Sequence, residues 1–445
     1  MNSEPVIHAP PDWVGFDADL RSSPDAPDMG TDADFARFAV DGMAPERVVC
    51  PASVSQVCRV MAIASAQGVA VVPVGFGAHL GAGAAPRRPF LALSLASLNA
   101  LVDHQPGNMT LTAQAGMSLA RLQGATAGSG QWLPVDPPFP DQTSVGGLIS
   151  ANLSGPCRFS QGTVRDLLIG ITVVRADGSV VKSGGRVVKN VAGYDLGKLY
   201  CGALGTLGVI VEASFKVRTL PQARAAARIT CPNLEAAQDL VERILKAPLE
   251  PLFIELSGRI PAAGTGCVLV VGFGGAGEDV ADQAVTLRSL VDGAGSLEEL
   301  ADEEAEALMT ELRDSRAGDG AFFGLKASLP TTKAAAFIAA LEEEGRGGGL
   351  AMAVQAHAGN GIIHVRIERP DEPPVQGSAR AIVERLRAAA ASLGGTLVVE
   401  HADPAIKPGL DLWGSGIEGL ALMKRIKQTM DPGGILSPGR FVGGI

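Results

Sequence analysis

Three histidines and one glutamate in the second half of the chain have the residue types and spacing of a metal or catalytic site. His357 and His364 lie seven residues apart across the glycine turn of HAGNGIIH, and Glu400-His401 ends a later predicted strand. Two imidazoles and a carboxylate form a ligand set for zinc or another divalent ion, with an open position for substrate oxygens. The alternative is a hairpin whose histidines make ordinary hydrogen bonds.

The first half of the chain is organised around the glycine-rich residues 184–212. Glycines occupy positions 184, 185, 193, 197, 202, 205 and 208, and Lys189-Asn190 lies among them. Because glycine has no Cβ, this stretch lets the backbone approach a ligand or another backbone closely. The glycines precede a predicted strand at 209–217, so they are not a G-x-G-x-x-G dinucleotide fingerprint, which opens a helix after a strand. A ligand-holding loop and a packing corner remain equal interpretations of this stretch alone.

Two further clusters combine glycine with hydroxyl side chains. The loop GFGAHLGAG (75–83) follows a predicted buried strand at 69–74, and DQTSVGGLISANLSGP spans 141–156. The second cluster can present backbone N–H groups and hydroxyls to a diphosphate from Thr143, Ser144, Gly146 and Gly147. A helix N-terminus with its cap explains the second cluster at least as well.

The elements around these clusters predict a strand–helix–strand unit. Ser53 begins a capping box for an amphipathic helix that Gly68 ends, and strands are predicted at 45–51 and 90–94. Units of this kind bind ligands at the carboxyl ends of their strands, which is where the loop at 75–83 lies.

The pattern of predicted strands and helices changes at residue 222, where we predict a domain boundary. Before it, Asp177-Gly178 between two β-branched runs predicts a hairpin. After it, strands alternate with Ala/Glu/Leu-rich helices, predicted at 234–246, 277–291, 298–314, 331–344 and 377–392, with a loop at 345–349. This pattern suits a sheet that helices cover on one face. The Pro- and Asp-rich residues 1–42 are predicted to form an exposed arm.

Composition and charge exclude several classes of protein. The net charge is −10 and the pI about 5.2, with no basic block, so neither nucleic acid nor an anionic membrane is an expected partner. The six cysteines form no C-x-x-C motif, which argues against iron–sulfur ligation and favours reduced thiols and a cytoplasmic location. No apolar run is long enough to span a bilayer, so we expect any membrane association to pass through a partner.

Taken together, the glycine clusters resemble the FAD-binding family of vanillyl-alcohol-oxidase type, with its PCMH-type FAD domain. PVGFGAHLGAG, DQTSVGGLISANLSGP, the long segment from GTVRDLL to GVIVE and the tail DPGGILSPGR occur in that order. The resemblance implies an α+β fold: a two-part FAD-binding domain and an α+β cap domain with an antiparallel sheet, of the FAD-linked oxidase C-terminal type. We divide the chain into an N-terminal arm (1–42), an FAD-binding domain (43–221), a cap domain (222–430) and a tail that returns to the FAD domain (431–445).

The resemblance also implies which residues bind FAD. The first loop would give backbone donors to the diphosphate, the second cluster would continue this clamp, and the backbone after the glycine-rich stretch would approach the adenine and flavin. The cofactor-binding candidates are Pro73, Val74, Gly75, Phe76, Gly77, Ala78, His79, Leu80, Thr143, Ser144, Gly146, Gly147, Asn152, Gly208, Val209 and Ile210. Relatives that attach FAD covalently carry Arg-Ser-Gly-Gly-His, whereas the run here is Gly-Phe-Gly-Ala-His, so we predict non-covalent FAD.

The histidines of the cap resemble the H-x-G-D-G-N-x-H and E-H-G-I-G segments of flavin D-2-hydroxyacid dehydrogenases. This implies that His357, His364 and Glu400 bind a divalent metal such as zinc, and that His401, with His364, is catalytic and takes the substrate's hydroxyl proton. Departures are Asn360 and Ile362 for the motif's Asp and Asn, and Ala402, Asp403 and Pro404 after Glu-His. The apolar Ile362 weakens the implied hydrogen bonding to substrate.

Within this family the segment KNVAGYDL, followed by GALGTLGVIVE, looks most like the FAD-binding E subunit of glycolate oxidase. The resemblance implies oxidation of a small 2-hydroxy acid such as glycolate by hydride transfer to FAD, together with a second flavoprotein subunit and an iron–sulfur subunit. A stand-alone FAD-dependent D-2-hydroxyacid dehydrogenase, for example for D-lactate, is one alternative. A non-catalytic, FAD-bearing electron-relay subunit is the other.

Overall fold

The computed structural model of the protein describes residues 11–186, 193–260, 267–315, 321–368 and 376–445. Lys189-Asn190, which we expected to face the cofactor or a partner, lies outside these residues. The described strands form three main sheets, two before residue 222 and one after it.

The first sheet has four strands in the order β1-β2-β4-β3, with β2, β4 and β3 parallel. Its elements are α1 (Trp13–Arg21), β1 (Asp28–Met29), α2 (Asp32–Arg37), β2 (Arg47–Cys50), α3 (Val54–Gln67), β3 (Ala70–Val74) and β4 (Phe90–Ser94). The Ser53 hydroxyl accepts from Gln56 N, and Gly68 ends α3 in the left-handed conformation, as predicted.

The prediction of an exposed arm does not hold for residues 11–42. Phe16 and Leu20 on α1 are fully buried in the core of the FAD-binding part, and α1 packs on α3. Asp12 caps this helix by accepting from Gly15 N, and β1 pairs with β2. The apolar positions are too few and too widely spaced to show a helical period in a segment rich in Pro and Asp.

The second sheet is antiparallel, in the order β5-β6-β10-β8-β9. This region comprises β5 (Leu101–Gln105), β6 (Thr110–Gln114), α4 (Leu119–Ala127), β7 (Gln131–Trp132), α5 (Val145–Ser150), α6 (Arg158–Gln161), α7 (Val164–Leu167), β8 (Leu168–Val174), β9 (Val180–Gly184), α8 (Gly197–Tyr200), β10 (Val209–Lys216) and β11 (Arg218–Thr219). The predicted hairpin is present, because Val174 pairs with Val180 around Asp177-Gly178.

The third sheet is antiparallel, with eight strands in the order β15-β12-β14-β13-β17-β18-β16-β19. Its strands and helices are β12 (Ala223–Cys231), α9 (Leu234–Lys246), β13 (Phe253–Ile260), β14 (Cys267–Gly275), α10 (Gly277–Val291), β15 (Ser296–Ala301), α11 (Asp302–Asp314), β16 (Ala321–Ser328), α12 (Ala334–Gly348), β17 (Met352–His357), β18 (Ile362–Glu368), α13 (Gln376–Ser392), β19 (Thr396–Ala402) and α14 (Leu420–Met430). The arrangement confirms the predicted α+β fold class.

Helices lie on both faces of the eight-stranded sheet, not on one as predicted. α9, α10, α12 and α13 share one core with the sheet, whereas α11 packs on the opposite face beside the fully buried Cys157. The helix predicted at 298–314 begins at Asp302, because residues 296–301 pair with β12. The predicted loop at 345–349 continues α12 to Gly348, and Gly349 ends it in the left-handed conformation.

The C-terminal tail lies against the first sheet. Val71 N donates to Ile435 O and Ser437 N donates to Val71 O, both at 2.8 Å, so the tail extends the sheet beside β3. The ammonium of Lys427 supports this return, since it bonds to buried Asp431 and to the carbonyls of Thr206 and Leu436.

Candidate functional site

A groove lies at the carboxyl end of β3, where the first two sheets and the tail meet. It is partly open to solvent, and about 750 Å³ of space, open solvent included, lies between its walls. Every predicted cofactor-binding residue lines it except Thr143, Asn152 and Val209. Residues that we did not predict also line it: Leu95, Ala115, Gln142, Ser150, Ala151, Leu204, Gly205 and Arg440.

The first glycine loop offers a row of backbone donors to this groove. Among the described residues, the N–H groups from Gly75 to His79 donate to no backbone or side-chain acceptor. Gly77 has φ +87°, a conformation that turns successive N–H groups inward and that glycine adopts without steric cost. Successive unpaired N–H groups in such a turn form an anion-binding concavity, which fits a diphosphate.

The second cluster forms the capped helix N-terminus that was one of its two interpretations. Gly146 N donates to Ala115 O at 2.8 Å and Gly147 N to Ser144 Oγ at 3.1 Å. The Thr143 hydroxyl donates to Pro138 O at 3.0 Å. These donors are therefore used within the protein, because Ser144 caps α5, and the cluster forms a wall of the groove more than a set of phosphate donors.

The glycine-rich stretch acts both as a groove wall and as a packing corner. Gly208 and Ile210 line the groove, whereas Val209 is fully buried in the core behind it. A Cβ on Gly208 would lie 2.4 Å from Val173 Cγ1, and one on Gly205 would lie 3.2 Å from Pro73 Cδ. The described part of this stretch is therefore a packing corner that also lines the groove, and its binding of a ligand stays a prediction.

His79 is joined to the second cluster. Its Nε2 lies 3.0 Å from Thr143 Oγ1, whose hydrogen is already donated to Pro138 O, so the imidazole Nε2–H is the donor. Burial lowers the pKa of His79 to about 4, and the ring is neutral at pH 7. Thr143 thus contacts the groove through His79 without lining it.

Arg440 is the main groove residue that we missed. It is buried, its Nη2 donates to Leu80 O and Ala82 O, and its Nε donates to Ala84 O. Burial lowers its pKa to about 10, so it remains a cation at neutral pH. The only sequence signal was its place in the tail motif DPGGILSPGR.

A polar row crosses the sheet face that α11 and the FAD-binding part cover. Glu255 pairs across strands with His357, and Gln355 pairs with His364. Glu255 Oε1 lies 2.5 Å from His357 Nδ1, and Gln355 Nε2 donates to Glu255 Oε2 at 2.8 Å. Glu255 is fully buried, and nothing in the sequence motifs indicated it.

The remaining predicted ligands continue this row. His364 Nδ1 lies 2.9 Å from Glu400 Oε2, Lys326 Nζ lies 3.7 Å from Glu400 Oε1, and the rings of His357 and His364 are 5.3 Å apart. The donor types suit zinc, but the described residues contain no group of three or more His, Cys, Asp or Glu side chains placed to hold a metal ion. The divalent metal therefore stays a prediction, and no chemical step below depends on it.

His401 lies where the cap meets the first glycine loop. A Cβ on Gly81 would lie 3.1 Å from His401 Nδ1, so the ring lies close against the loop at this glycine. Although His401 keeps contact with solvent, partial burial lowers its pKa, and the Lys407 ammonium lowers it further, against the carboxylates of Asp41 and Asp403. These contacts place the predicted base at the cap side of the groove.

Two families match the chain in succession. Residues 45–184 match the FAD binding domain family, and residues 220–441 match the C-terminal domain family of FAD linked oxidases. The chain belongs to the FAD-linked oxidase family. It is an FAD-binding oxidoreductase, and the unpaired N–H row and the glycine walls of its groove fit that cofactor.

The relatives of this FAD-linked oxidase include two glycolate oxidase subunits, GlcD and GlcE. The glycolate oxidase subunit GlcD of Bacillus subtilis is 28% identical over 425 residues, covering 89% of each chain. The glycolate oxidase subunit GlcE of Escherichia coli is 36% identical over 143 residues, covering 32% of this chain and 41% of that one. In structure, a 4-ethylphenol oxidase from Gulosibacter chungangensis superimposes with a TM-score of 0.76 at 17% identity, over 97% of this chain and 98% of its own.

In the part of the chain that the structure describes, no helix is both long and apolar enough to cross a membrane.

Proposed function

We propose that this FAD-linked oxidase oxidises a small 2-hydroxy acid such as glycolate, as the FAD-binding subunit of a glycolate oxidase. Bound FAD supplies the acceptor for the hydride that leaves the α-carbon of the substrate. The observation that carries the proposal is the placement of His401 at the junction of the cap and the first glycine loop, beside the FAD groove.

The chain's own residues would bind the cofactor and move one proton. The N–H groups from Gly75 to His79 would bind the diphosphate, and the cation of Arg440 lies in the lining of the same groove. His401 is kept neutral by partial burial and by Lys407, so a ring nitrogen can accept the hydroxyl proton of the substrate. Lys326, in the polar row, supplies a cation for the substrate carboxylate.

Arg313 is a poorer candidate for that carboxylate. Its guanidinium makes two hydrogen bonds of 2.8 Å to Asp314, whose Oδ1 also accepts from Phe139 N. This places Arg313 in a contact between α11 and the FAD-binding part. Lys326 is the better site because its own carboxylate partner is more distant, with Nζ 3.7 Å from Glu400 Oε1.

The subunit assignment rests on similarity to both glycolate oxidase subunits and on cysteine chemistry. The six cysteines show no spacing for an iron–sulfur cluster, so electrons from FAD would leave through a second flavoprotein and an iron–sulfur subunit. A non-catalytic relay subunit would share these features, but it would not need a neutral histidine at the groove.

A stand-alone D-2-hydroxyacid dehydrogenase is the second candidate. It is favoured by the proximity of His357, His364 and Glu400 in the polar row. Steady-state assays of the single purified chain with glycolate or D-lactate and a dye acceptor separate the two. Full activity alone supports the stand-alone enzyme. Activity that requires the partner subunits supports the subunit, and a flavin that no 2-hydroxy acid reduces in any combination contradicts both.

Metal content tests the remaining prediction. Protein purified without chelator is analysed for zinc and other divalent ions, beside His357→Ala and Glu400→Ala variants. One equivalent of metal that both variants lose supports the predicted ligand set. Metal-free protein that is fully active contradicts it.

A further inference from the structure

A buried ion pair joins three distant segments of the chain. Lys407 Nζ, from the turn after β19 in the cap, donates to Asp41 Oδ1 at 2.7 Å and to Gly81 O at 2.6 Å. The two side chains are 5% and 8% exposed. Asp41 belongs to the N-terminal segment and Gly81 to the first glycine loop, so one ammonium connects the cap, the N-terminal segment and the FAD groove.

The same loop is held from the tail. Arg440 Nη2 donates to Leu80 O at 2.5 Å and to Ala82 O at 2.6 Å, and Ala84 N donates to Arg440 O at 2.9 Å. Two buried cations therefore bind consecutive carbonyls between Leu80 and Ala82. Directly before this segment, residues 75–79 line the groove, and their N–H groups donate to no acceptor among the described residues. The cations fix the end of the row of donors that would hold the diphosphate.

Two features of Asp41 are unfavourable for the stability of the folded protein. It has φ +50°, a left-handed conformation that is uncommon outside glycine, and its Oδ2 is buried with no hydrogen-bond partner among the described residues. Burying an ion pair is also a poor source of stability, because desolvation offsets the attraction. Such features persist where a precise position is required.

We infer that Lys407, oriented by Asp41, is a positioning residue that couples docking of the cap to the shape of the FAD loop. This inference rests on the FAD groove of the proposed function, but not on the substrate. It makes FAD affinity depend on a cap residue that touches the back of the loop and does not line the groove. The hydrogen bond from Lys407 to Gly81 O also holds Gly81 beside His401. It would thereby position the proposed base relative to the cofactor.

The test compares full-length Lys407→Met, Lys407→Arg and Asp41→Asn with the wild type. The matched control is Arg387→Met, because Arg387 also donates to backbone carbonyls in the cap, those of Leu397 and Asp411, far in sequence from the loop. Two quantities are measured: the Kd of deflavinated protein for FAD by fluorescence quenching, and hydrogen–deuterium exchange of the peptide covering 80–84 without FAD.

We expect Lys407→Met to weaken FAD binding at least tenfold and to speed exchange at 80–84, with Asp41→Asn intermediate and Lys407→Arg within about threefold of wild type. Arg387→Met should lower the Tm without changing either quantity more than about twofold. Unchanged exchange at 80–84 in Lys407→Met overturns the inference even if FAD affinity falls. A decrease in FAD affinity that follows the decrease in Tm across all variants, the control included, overturns the inference as well. Failure of the wild type to oxidise 2-hydroxy acids would defeat the proposed function alone, because neither measurement uses substrate.

Discussion

His79 Nε2 lies 3.0 Å from Thr143 Oγ1, and this hydrogen bond joins the first glycine loop to the start of α5. The Thr143 hydroxyl donates to Pro138 O, so the imidazole must donate through Nε2–H. The protein thereby fixes the tautomer of His79, which lines the FAD groove. Through Thr143, the carbonyl of Pro138 in a proline-rich loop thus sets the orientation of the His79 ring.

The fixed tautomer bears on how the cofactor is held. Because Nε2 of His79 carries a hydrogen and bonds to Thr143, we expect no covalent bond from this nitrogen to FAD. Precipitation of the holoprotein with trichloroacetic acid should leave the yellow colour in the supernatant. Flavin that remains on the washed pellet and migrates with the chain in a denaturing gel would contradict this prediction.

His79 should also make stability depend on pH. Its pKa is about 4 in the folded protein against 6.5 in the unfolded chain, so below pH 6.5 the unfolded state binds a proton that the folded state does not. The free energy of unfolding should therefore fall as the pH drops from 6.5 to 4, by up to about 3 kcal/mol from this group.

Urea unfolding of the apoprotein at several pH values checks this. The control is His79→Gln, which keeps a donor for Thr143 Oγ1 but does not titrate. The variant should lose less stability than wild type over that pH interval. If the free energy of unfolding depends on pH in the same way in the two proteins, His79 does not take up a proton on unfolding.

The sequence identified the groove residues that belong to a recognisable local motif. It missed those that reach the groove through contacts between parts of the chain that are distant in sequence. Gly75 to Leu80 could be identified because a glycine loop directly follows a buried strand. Arg440 reaches the groove only because the tail folds back on β3. Glu255 lies two strands away from His364, and no local pattern marks a fully buried carboxylate between Ile254 and Leu256.

The role of the second cluster shows the same limit. Its residues form the capped helix N-terminus that was one of two interpretations, and the partners that consume its donors are Ala115 and Pro138. Those partners belong to elements whose packing the sequence does not specify. Which N–H groups remain for a ligand is a tertiary property, and among the described residues those from Gly75 to His79 remain.

Replacing the predicted base should separate binding from chemistry. For His401→Gln we expect kcat to fall by about 10²–10⁴-fold, the usual effect of removing a general base. FAD content and KM should change little, because His401 does not line the groove. Stopped-flow reduction of the flavin by glycolate measures the step directly, and a rate within threefold of wild type would exclude His401 as the base.

The contact between Gly75 and Ser144 gives a test of the groove's two walls. A Cβ on Gly75 would lie 2.1 Å from Ser144 Oγ and 2.9 Å from its Cβ. Gly75→Ala should therefore displace the hydroxyl that caps α5 through Gly147 N, costing about 1–3 kcal/mol of stability and weakening FAD binding. Gly107→Ala, where a Cβ would meet no atom within 4 Å, is the matched control and should be neutral.

Adding Ser144→Gly to Gly75→Ala should restore much of the loss. It removes both atoms that the new methyl group meets, and glycine is only a few tenths of a kcal/mol worse than serine at an N-cap. The double variant should therefore be more stable and bind FAD more tightly than Gly75→Ala alone, as measured by urea unfolding and fluorescence titration. Additive losses would show that Gly75 and Ser144 act independently, and that the two walls do not set each other's position. Recovery of stability without recovery of FAD affinity would instead assign Gly75 a direct role at the cofactor, since its N–H belongs to the unpaired row.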